Sequence, residues 1–98
     1  MTNSNESKQK YLLSARQSIP MVIREMNLIG RSLKLESDPD ARERLFKRYN
    51  ILVEHLMTHE AMGLDTRPLL KNPIGLKQFK ALLKIEMQIR EALKECEV

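Results

Sequence analysis

Two histidines, His55 and His59, are the side chains whose type and spacing come closest to a chemical site. They stand four positions apart, so a helix places both imidazoles on one face, where they could hold two positions around a zinc ion. The helical metalloprotease pattern needs a glutamate directly after the first histidine, and Leu56 stands there instead. Because Cys96 is the only other soft ligand, we predict no metal site. We expect His59 to close the buried row of its helix and His55 to lie on the rim.

Cys96 is the remaining reactive side chain, and its position argues against nucleophilic catalysis. A nucleophilic cysteine needs its thiolate stabilised by a helix N-terminus, a positive charge or a base. Cys96 instead ends the apolar row of the last predicted helix, near the C-terminus and between Glu95 and Glu97. The chain also lacks a glycine-rich phosphate loop and a Gly-x-Ser-x-Gly motif. The sequence therefore predicts a protein that is not an enzyme and that carries no cofactor.

The composition is that of a small folded protein. Of 98 residues, 42% are apolar and 31% are charged, which suits one domain with a modest core. No apolar run approaches the roughly 18 residues of a membrane-spanning helix, and residues 1–10 contain no apolar segment of a secretory signal. A single cysteine favours a reducing compartment. We therefore expect a cytoplasmic protein that does not bind membranes.

The elements that must position these side chains are helices, because apolar residues recur at spacings of three and four along the chain. We predict helices at about residues 8–35, 39–62 and 73–95. Residues 1–7 are expected to form a disordered tail, and residues 8–98 a single domain. The apolar row of the first helix passes through Pro20 without a shift in phase. We therefore favour one long helix kinked at Pro20 over two separate helices.

Boundary signals separate the three predicted helices. Asp38 followed by Pro39 is typical of a helix cap and first position, and the Asn-Pro pair at 72–73 repeats the signal. Gly63 is suited to the left-handed conformation that ends a helix. We interpret the segment 64–71 as a linker.

Each predicted helix has one apolar row for the core, and the widths of these rows suit a bundle better than a bare two-stranded coiled coil. The expected core residues are Leu12, Ala15, Ile19, Val22, Met26, Ile29 and Leu33 in the first helix, Leu45, Phe46, Tyr49, Leu52, Val53 and Leu56 in the second, and Phe79, Leu82, Leu83, Ile85, Ile89, Ala92, Leu93 and Cys96 in the third. We thus predict an all-α protein, a small three-helix antiparallel bundle with a long first helix.

A second apolar line on the first helix is the strongest sequence signal for binding. Met21, Leu28 and Leu35 recur at seven-residue intervals, and small or polar residues separate them from the core row. One interpretation is that the first helix is central and touches both other helices. The other is that these three residues form an interface with a second subunit or a partner protein, since so small a domain often gains stability by association. The sequence leaves both interpretations open.

Basic residues provide a second candidate site. The net charge is +4. Five basic residues lie just before the last predicted helix or along its outer face: Arg67, Lys71, Lys77, Lys80 and Lys84. They could contact the phosphates of a nucleic acid, although acidic residues are interleaved and a solvated helix face is the commoner cause of such a pattern.

Two functional hypotheses follow from these patterns. The leading one is a non-enzymatic interaction module, an oligomeric adaptor, chaperone or regulator that binds a partner protein through apolar helix faces. The alternative is a small basic regulatory protein that binds nucleic acid. A homo-oligomer joined partly through Met21, Leu28 and Leu35 is expected under the leading hypothesis.

Overall fold

The computed structural model describes residues 4–71 and 76–96, and this part of the chain is helical without a strand. Four helices follow one another in these two stretches: α1 (Ser4–Leu35), α2 (Pro39–Ala61), α3 (Arg67–Lys71) and α4 (Leu76–Cys96). The all-α prediction is confirmed. None of the described helices is both long and apolar enough to cross a membrane.

α1 is one continuous helix, so the alternative of two separate helices is wrong. Pro20 lies inside α1, and the apolar side chains of Ile19 and Val22 are buried on either side of it. This packing holds the helix together although the proline removes a backbone donor. A kink at Pro20 stays a prediction. α1 begins at Ser4, within the predicted tail, and residues 1–3 lie outside the described part of the chain.

The start of α2 follows the local signals in the sequence. Asp38 has an extended backbone and its Oδ2 accepts a hydrogen bond from the Ala41 amide at 3.0 Å, while Pro39 opens the helix. After α2, Gly63 has a φ of 103°, as expected of the residue that ends a helix. The predicted start of the last helix at position 73 lies outside the described residues.

A short helix, α3, occupies the segment that the sequence analysis interprets as a linker. Pro68 is its second residue, where a proline removes no helical hydrogen bond because the first amides of a helix have no partner. The Thr66 carbonyl accepts a hydrogen bond from the Leu69 amide at 3.1 Å, and Thr66 Oγ1 donates to the Leu56 carbonyl at 2.7 Å. Leu69 itself is fully buried. The described chain therefore contains a short, anchored helix that the three-helix prediction lacks.

α1 is the central helix, because it packs against both α2 and α4. Ion pairs with N–O distances of 2.7 Å link it to each neighbour, Glu25 with Arg48 of α2 and Arg16 with Glu86 of α4. The buried core comprises Leu12, Ala15, Ile19, Val22, Ile23, Met26 and Ile29 of α1, Leu52 and Leu56 of α2, Leu64 and Leu69 around α3, and Ala81, Ile85 and Ile89 of α4.

Early residues of α1 contact late residues of the neighbouring helices. Tyr11 hydrogen-bonds His59 near the end of α2, whereas the Leu33 carbonyl accepts from Arg42 near its start. The same order holds against α4, from the pair Arg16–Glu86 to the pair Asn27–Gln78. α2 and α4 therefore each contact α1 over much of its length.

Candidate functional site

The three residues of the predicted interface stand on the side of α1 that faces away from the core. Met21, Leu28 and Leu35, which we call the α1 ridge, are between 54% and 87% exposed. α1 contacts both neighbours through its buried row and leaves the α1 ridge largely exposed to solvent. The central position of α1 therefore does not account for the ridge, whose apolar area remains open to another molecule.

A second exposed apolar row runs along α4. Leu76, Phe79, Leu83 and Met87, which we call the α4 stripe, recur at spacings of three and four and are between 48% and 68% exposed. On a helix of about 3.6 residues per turn this spacing places all four side chains on one face. The opposite face carries the buried residues Gln78, Ala81, Ile85 and Ile89. α4 is therefore apolar on two faces, of which the core covers one.

The exposure of Phe79 and Leu83 shows that the prediction of both residues in the core is wrong. α4 buries Gln78 instead, and the Gln78 side-chain amide exchanges two hydrogen bonds with the Asn27 amide, at 3.1 and 3.3 Å. These bonds satisfy the polar atoms that burial removes from water, so a glutamine takes a core position. The signal available in the sequence was the spacing itself, because the α4 stripe repeats as regularly as the buried row.

Phe46 of α2 is a second residue that the sequence analysis assigned to the core. Its side chain is 49% exposed, and the Arg42 guanidinium lies 5.8 Å from the ring centroid. A cation at this distance is attracted by the face of the ring. Because Arg42 also donates hydrogen bonds to the carbonyls of Leu33 and Glu36, Phe46 supports the connection between α1 and α2 instead of filling the core.

A groove of about 300 Å³ lies between α1 and α4. Leu28 of the ridge lines the groove from α1, Leu82 lines it from α4, and the hydrogen-bonded amides of Asn27 and Gln78 also line it. Phe79 of the α4 stripe stands three positions before Leu82, about 60° around the helix, so the stripe lies next to the side of α4 that lines the groove. The α1 ridge, the groove and the α4 stripe therefore form one surface, which we call the α1–α4 surface.

The α1 ridge borders a second cavity, of about 370 Å³, on the side of α2. Met21 and Ile51 contribute exposed apolar side chains to it. The Glu25 carboxylate accepts a hydrogen bond from Arg48 Nε at 2.7 Å beside this cavity, and that bond holds the pKa of Glu25 below its ordinary value. The charges on this side of the ridge are thus compensated within the chain.

Two of the basic residues singled out in the sequence, Arg67 and Lys71, lie on α3 and not on α4. Arg67, at the start of α3, has its Nε 2.7 Å from the Glu60 carboxylate, so its charge is compensated. Lys71 is exposed at the end of α3. Arg67 therefore adds no unpaired positive charge to the lysines of α4.

The other three, Lys77, Lys80 and Lys84, form an exposed row on α4 that we call the lysine row. Each follows a residue of the α4 stripe by one position, so the lysine row lies about 100° around the helix from the stripe. On the opposite side of the stripe, Arg24 and Arg31 of α1 line the groove. Within residues 4–71 and 76–96 none of these five side chains has an ion-pair partner. The α1–α4 surface is thus flanked by uncompensated positive charge on both sides.

Tyr11, His55 and His59 form a polar cluster beside the core, at the end of α2. The Tyr11 hydroxyl lies 2.7 Å from Nδ1 of the buried His59, and His59 Nε2 lies 3.1 Å from Nε2 of the exposed His55. Burial lowers the pKa of His59, and the charge of His55 adds to this effect, while burial raises the pKa of Tyr11. In the described stretches no group of three or more His, Cys, Asp or Glu side chains is placed to hold a metal ion. The contacts of the cluster satisfy a buried imidazole, which is a structural role.

We expect the protein to become less stable as the pH falls through the ordinary range of histidine, because of His59. Its pKa in the folded protein lies below the value of 6.5 for the unfolded chain, so the unfolded chain binds the proton more readily. The free energy of unfolding should therefore decrease between about pH 7.5 and pH 5.5. Thermal melts should show a flatter pH dependence for His59→Gln. They should show a smaller flattening for His55→Gln, which removes only the lesser contribution of the His55 charge to the lowered pKa of His59. The same slope in His59→Gln as in the wild type would refute this assignment.

The described part of the chain thus belongs to the class of all-helical proteins. It carries an exposed apolar surface between two groups of positive charge. Cys96 is half-buried and packs against the core at the end of α4. Comparison with known protein families, with curated proteins and with solved structures found no match. The α1–α4 surface is therefore the feature of the molecule that bears most directly on its function.

Proposed function

We propose that the protein is a non-enzymatic interaction module that binds a partner protein through apolar helix faces. The observation that supports this most directly is the α1–α4 surface, on which seven large apolar side chains have about half or more of their area exposed. Contiguous apolar patches are uncommon on proteins that act alone and are typical of binding surfaces. A groove between two apolar helix faces also suits a helical segment of a partner.

The proposal includes self-association and a role as an adaptor, chaperone or regulator in the cytoplasm. A chain of 98 residues has a thin core, and apolar area buried between subunits would add to its stability. The α1 ridge is the part of the surface that we assign to self-association, and the α4 stripe is the part that we assign to the partner. Leu28 borders both parts, because it belongs to the ridge and also lines the groove. In this proposal the three long helices form an antiparallel bundle, kinked at Pro20, that presents both the α1 ridge and the α4 stripe.

A pull-down from the native host with matched variants tests the proposal. Leu83→Glu places a carboxylate in the middle of the α4 stripe, and the control Met57→Glu places one on an exposed α2 residue outside the α1–α4 surface. Wild type and control should capture the same protein, and Leu83→Glu should lose most of it, because an unpaired charge buried in an interface is strongly unfavourable. Circular dichroism should show equal helix content in all three. Equal capture by all three proteins, or no specific capture by the wild type, would count against partner binding through this surface.

Nucleic-acid binding is the second candidate, and the unpaired lysine row is the observation that favours it. If the lysine row binds phosphates, changing Lys77, Lys80 and Lys84 together to glutamine should weaken binding to a DNA duplex. The slope of affinity against salt should then flatten by about one unit for each lost contact. We expect little duplex binding even by the wild type, because an apolar stripe lies beside the lysines. Submicromolar duplex affinity at physiological salt that is lost in the triple variant would make this function the leading one.

A further inference from the structure

We propose that the partner segment is an acidic amphipathic helix that lies along the α4 stripe and inserts an apolar side chain into the groove between α1 and α4. This inference rests on the proposed function and specifies the chemistry of the partner. Three features of the α1–α4 surface support it: the geometry of the stripe, the shape of the groove and the charges on both sides.

The α4 stripe has the length and spacing of a helix-binding site. From Leu76 to Met87 it extends over about three helical turns, or roughly 16 Å at 1.5 Å per residue. A partner helix that matches it carries apolar residues at positions i, i+3 or i+4, i+7 and i+11, which is the usual pattern of helix-in-groove recognition. The exposed aromatic ring of Phe79 lies within this pattern and is the kind of side chain that anchors such interfaces.

The groove distinguishes a protein helix from a flat apolar ligand. Leu28 and Leu82 line it from opposite helices, and the paired amides of Asn27 and Gln78 provide polar lining. This open groove of about 300 Å³ can accommodate a side chain of a partner helix, whereas a lipid surface presents no protruding side chain to fill it. An anionic membrane combines apolar and negatively charged groups as an acidic amphipathic helix does. Because only the helix offers a side chain that fits the groove, we favour a protein segment.

The charges beside the surface select an acidic partner. The lysine row lies along one side of the α4 stripe, and Arg24 and Arg31 lie beside the groove on the other. Glu86, four positions after Leu82 on α4, forms ion pairs with Arg16 at 2.7 Å and with Arg90 at 3.2 Å, and these pairs do not include the lysine row, Arg24 or Arg31. Carboxylates flanking the apolar face of the partner would meet positive charge on both sides, which raises the association rate and disfavours basic partners.

Selection from a peptide library tests the inference with the whole 98-residue chain. Random peptides of about 16 residues, long enough for four helical turns, are displayed and selected on the wild type, then counter-selected on Leu83→Glu. We expect the retained peptides to be rich in Asp and Glu, with apolar residues at helical spacing. A synthetic retained peptide should bind more weakly as salt is added.

Charge variants give the matched comparison. Changing Lys77, Lys80 and Lys84 to glutamine should weaken binding of the retained peptide roughly tenfold or more. The control changes three exposed lysines outside the surface, Lys8, Lys10 and Lys47, to glutamine and should leave the affinity almost unchanged, although it removes the same total charge.

The outcomes separate this inference from the proposed function. Retained peptides that are neutral or basic but still need Leu83 would overturn the acidic-helix inference and leave partner binding intact. A selection that yields no peptide dependent on Leu83 would overturn both. Binding to phosphatidylserine vesicles that is tighter than to any retained peptide and is lost in Leu83→Glu would overturn the inference in favour of a membrane surface.

Discussion

Replacing Leu56 by alanine should lower the free energy of unfolding by about 3 kcal/mol. Leu56 is 0% exposed and lies in the buried row of α2, within the core cluster. Closely packed neighbours cannot collapse fully into the space that the missing carbons leave, so the cost of the cavity adds to the lost burial. For a chain of this size the thermal midpoint should fall by roughly 12–24 °C.

The adjacent residue provides the control for this measurement. Met57 is 56% exposed, so Met57→Ala should change the free energy of unfolding by no more than about 0.5 kcal/mol. Urea unfolding followed by circular dichroism measures both variants under identical conditions. Similar losses for Leu56→Ala and Met57→Ala would mean that the buried face of α2 is wrongly assigned.

Leu28→Glu should convert an assembly of this protein into single chains. The α1 ridge is apolar, exposed and opposite the core, so a homodimer or larger assembly is expected to bury it. Light scattering at micromolar concentration should give the mass of more than one chain for the wild type and of one chain for Leu28→Glu, because the carboxylate would have to lose its water in the interface. Helix content should be unchanged, since Leu28 is 54% exposed.

Two further variants define which part of the surface carries the assembly. Met57→Glu adds the same charge at a similarly exposed position on α2 and should leave the mass unchanged. Leu83→Glu should also leave it unchanged, because we assign the α4 stripe to the partner and not to self-association. A wild type that is a single chain at these concentrations would remove self-association from the proposal, and loss of mass in Leu83→Glu would assign the α4 stripe to it.

The sequence by itself determined the features that depend on near neighbours in the chain. The spacing predicts all the buried residues of α1 from Leu12 to Ile29 except Ile23, because a helix converts a spacing of three and four into one face wherever it packs. The start of α2 depends on Asp38, which caps the helix, and on Pro39, which opens it. The turn after α2 depends on the left-handed backbone of Gly63. Capping and the left-handed turn each involve residues within one turn of the helix.

The tertiary structure decided which of two apolar faces is buried on α4 and whether α3 forms. Both faces of α4 have helical spacing, and the choice is made across space, where Gln78 meets the Asn27 amide and leaves Phe79 and Leu83 outside. α3 has only five residues, too few for a helix that is stable by itself, and it holds because Leu69 is buried and Thr66 bonds to α2. Such contacts join residues far apart in the chain, so no local pattern contains them. The α4 stripe, on which the proposed function depends, was therefore recognised only from the fold.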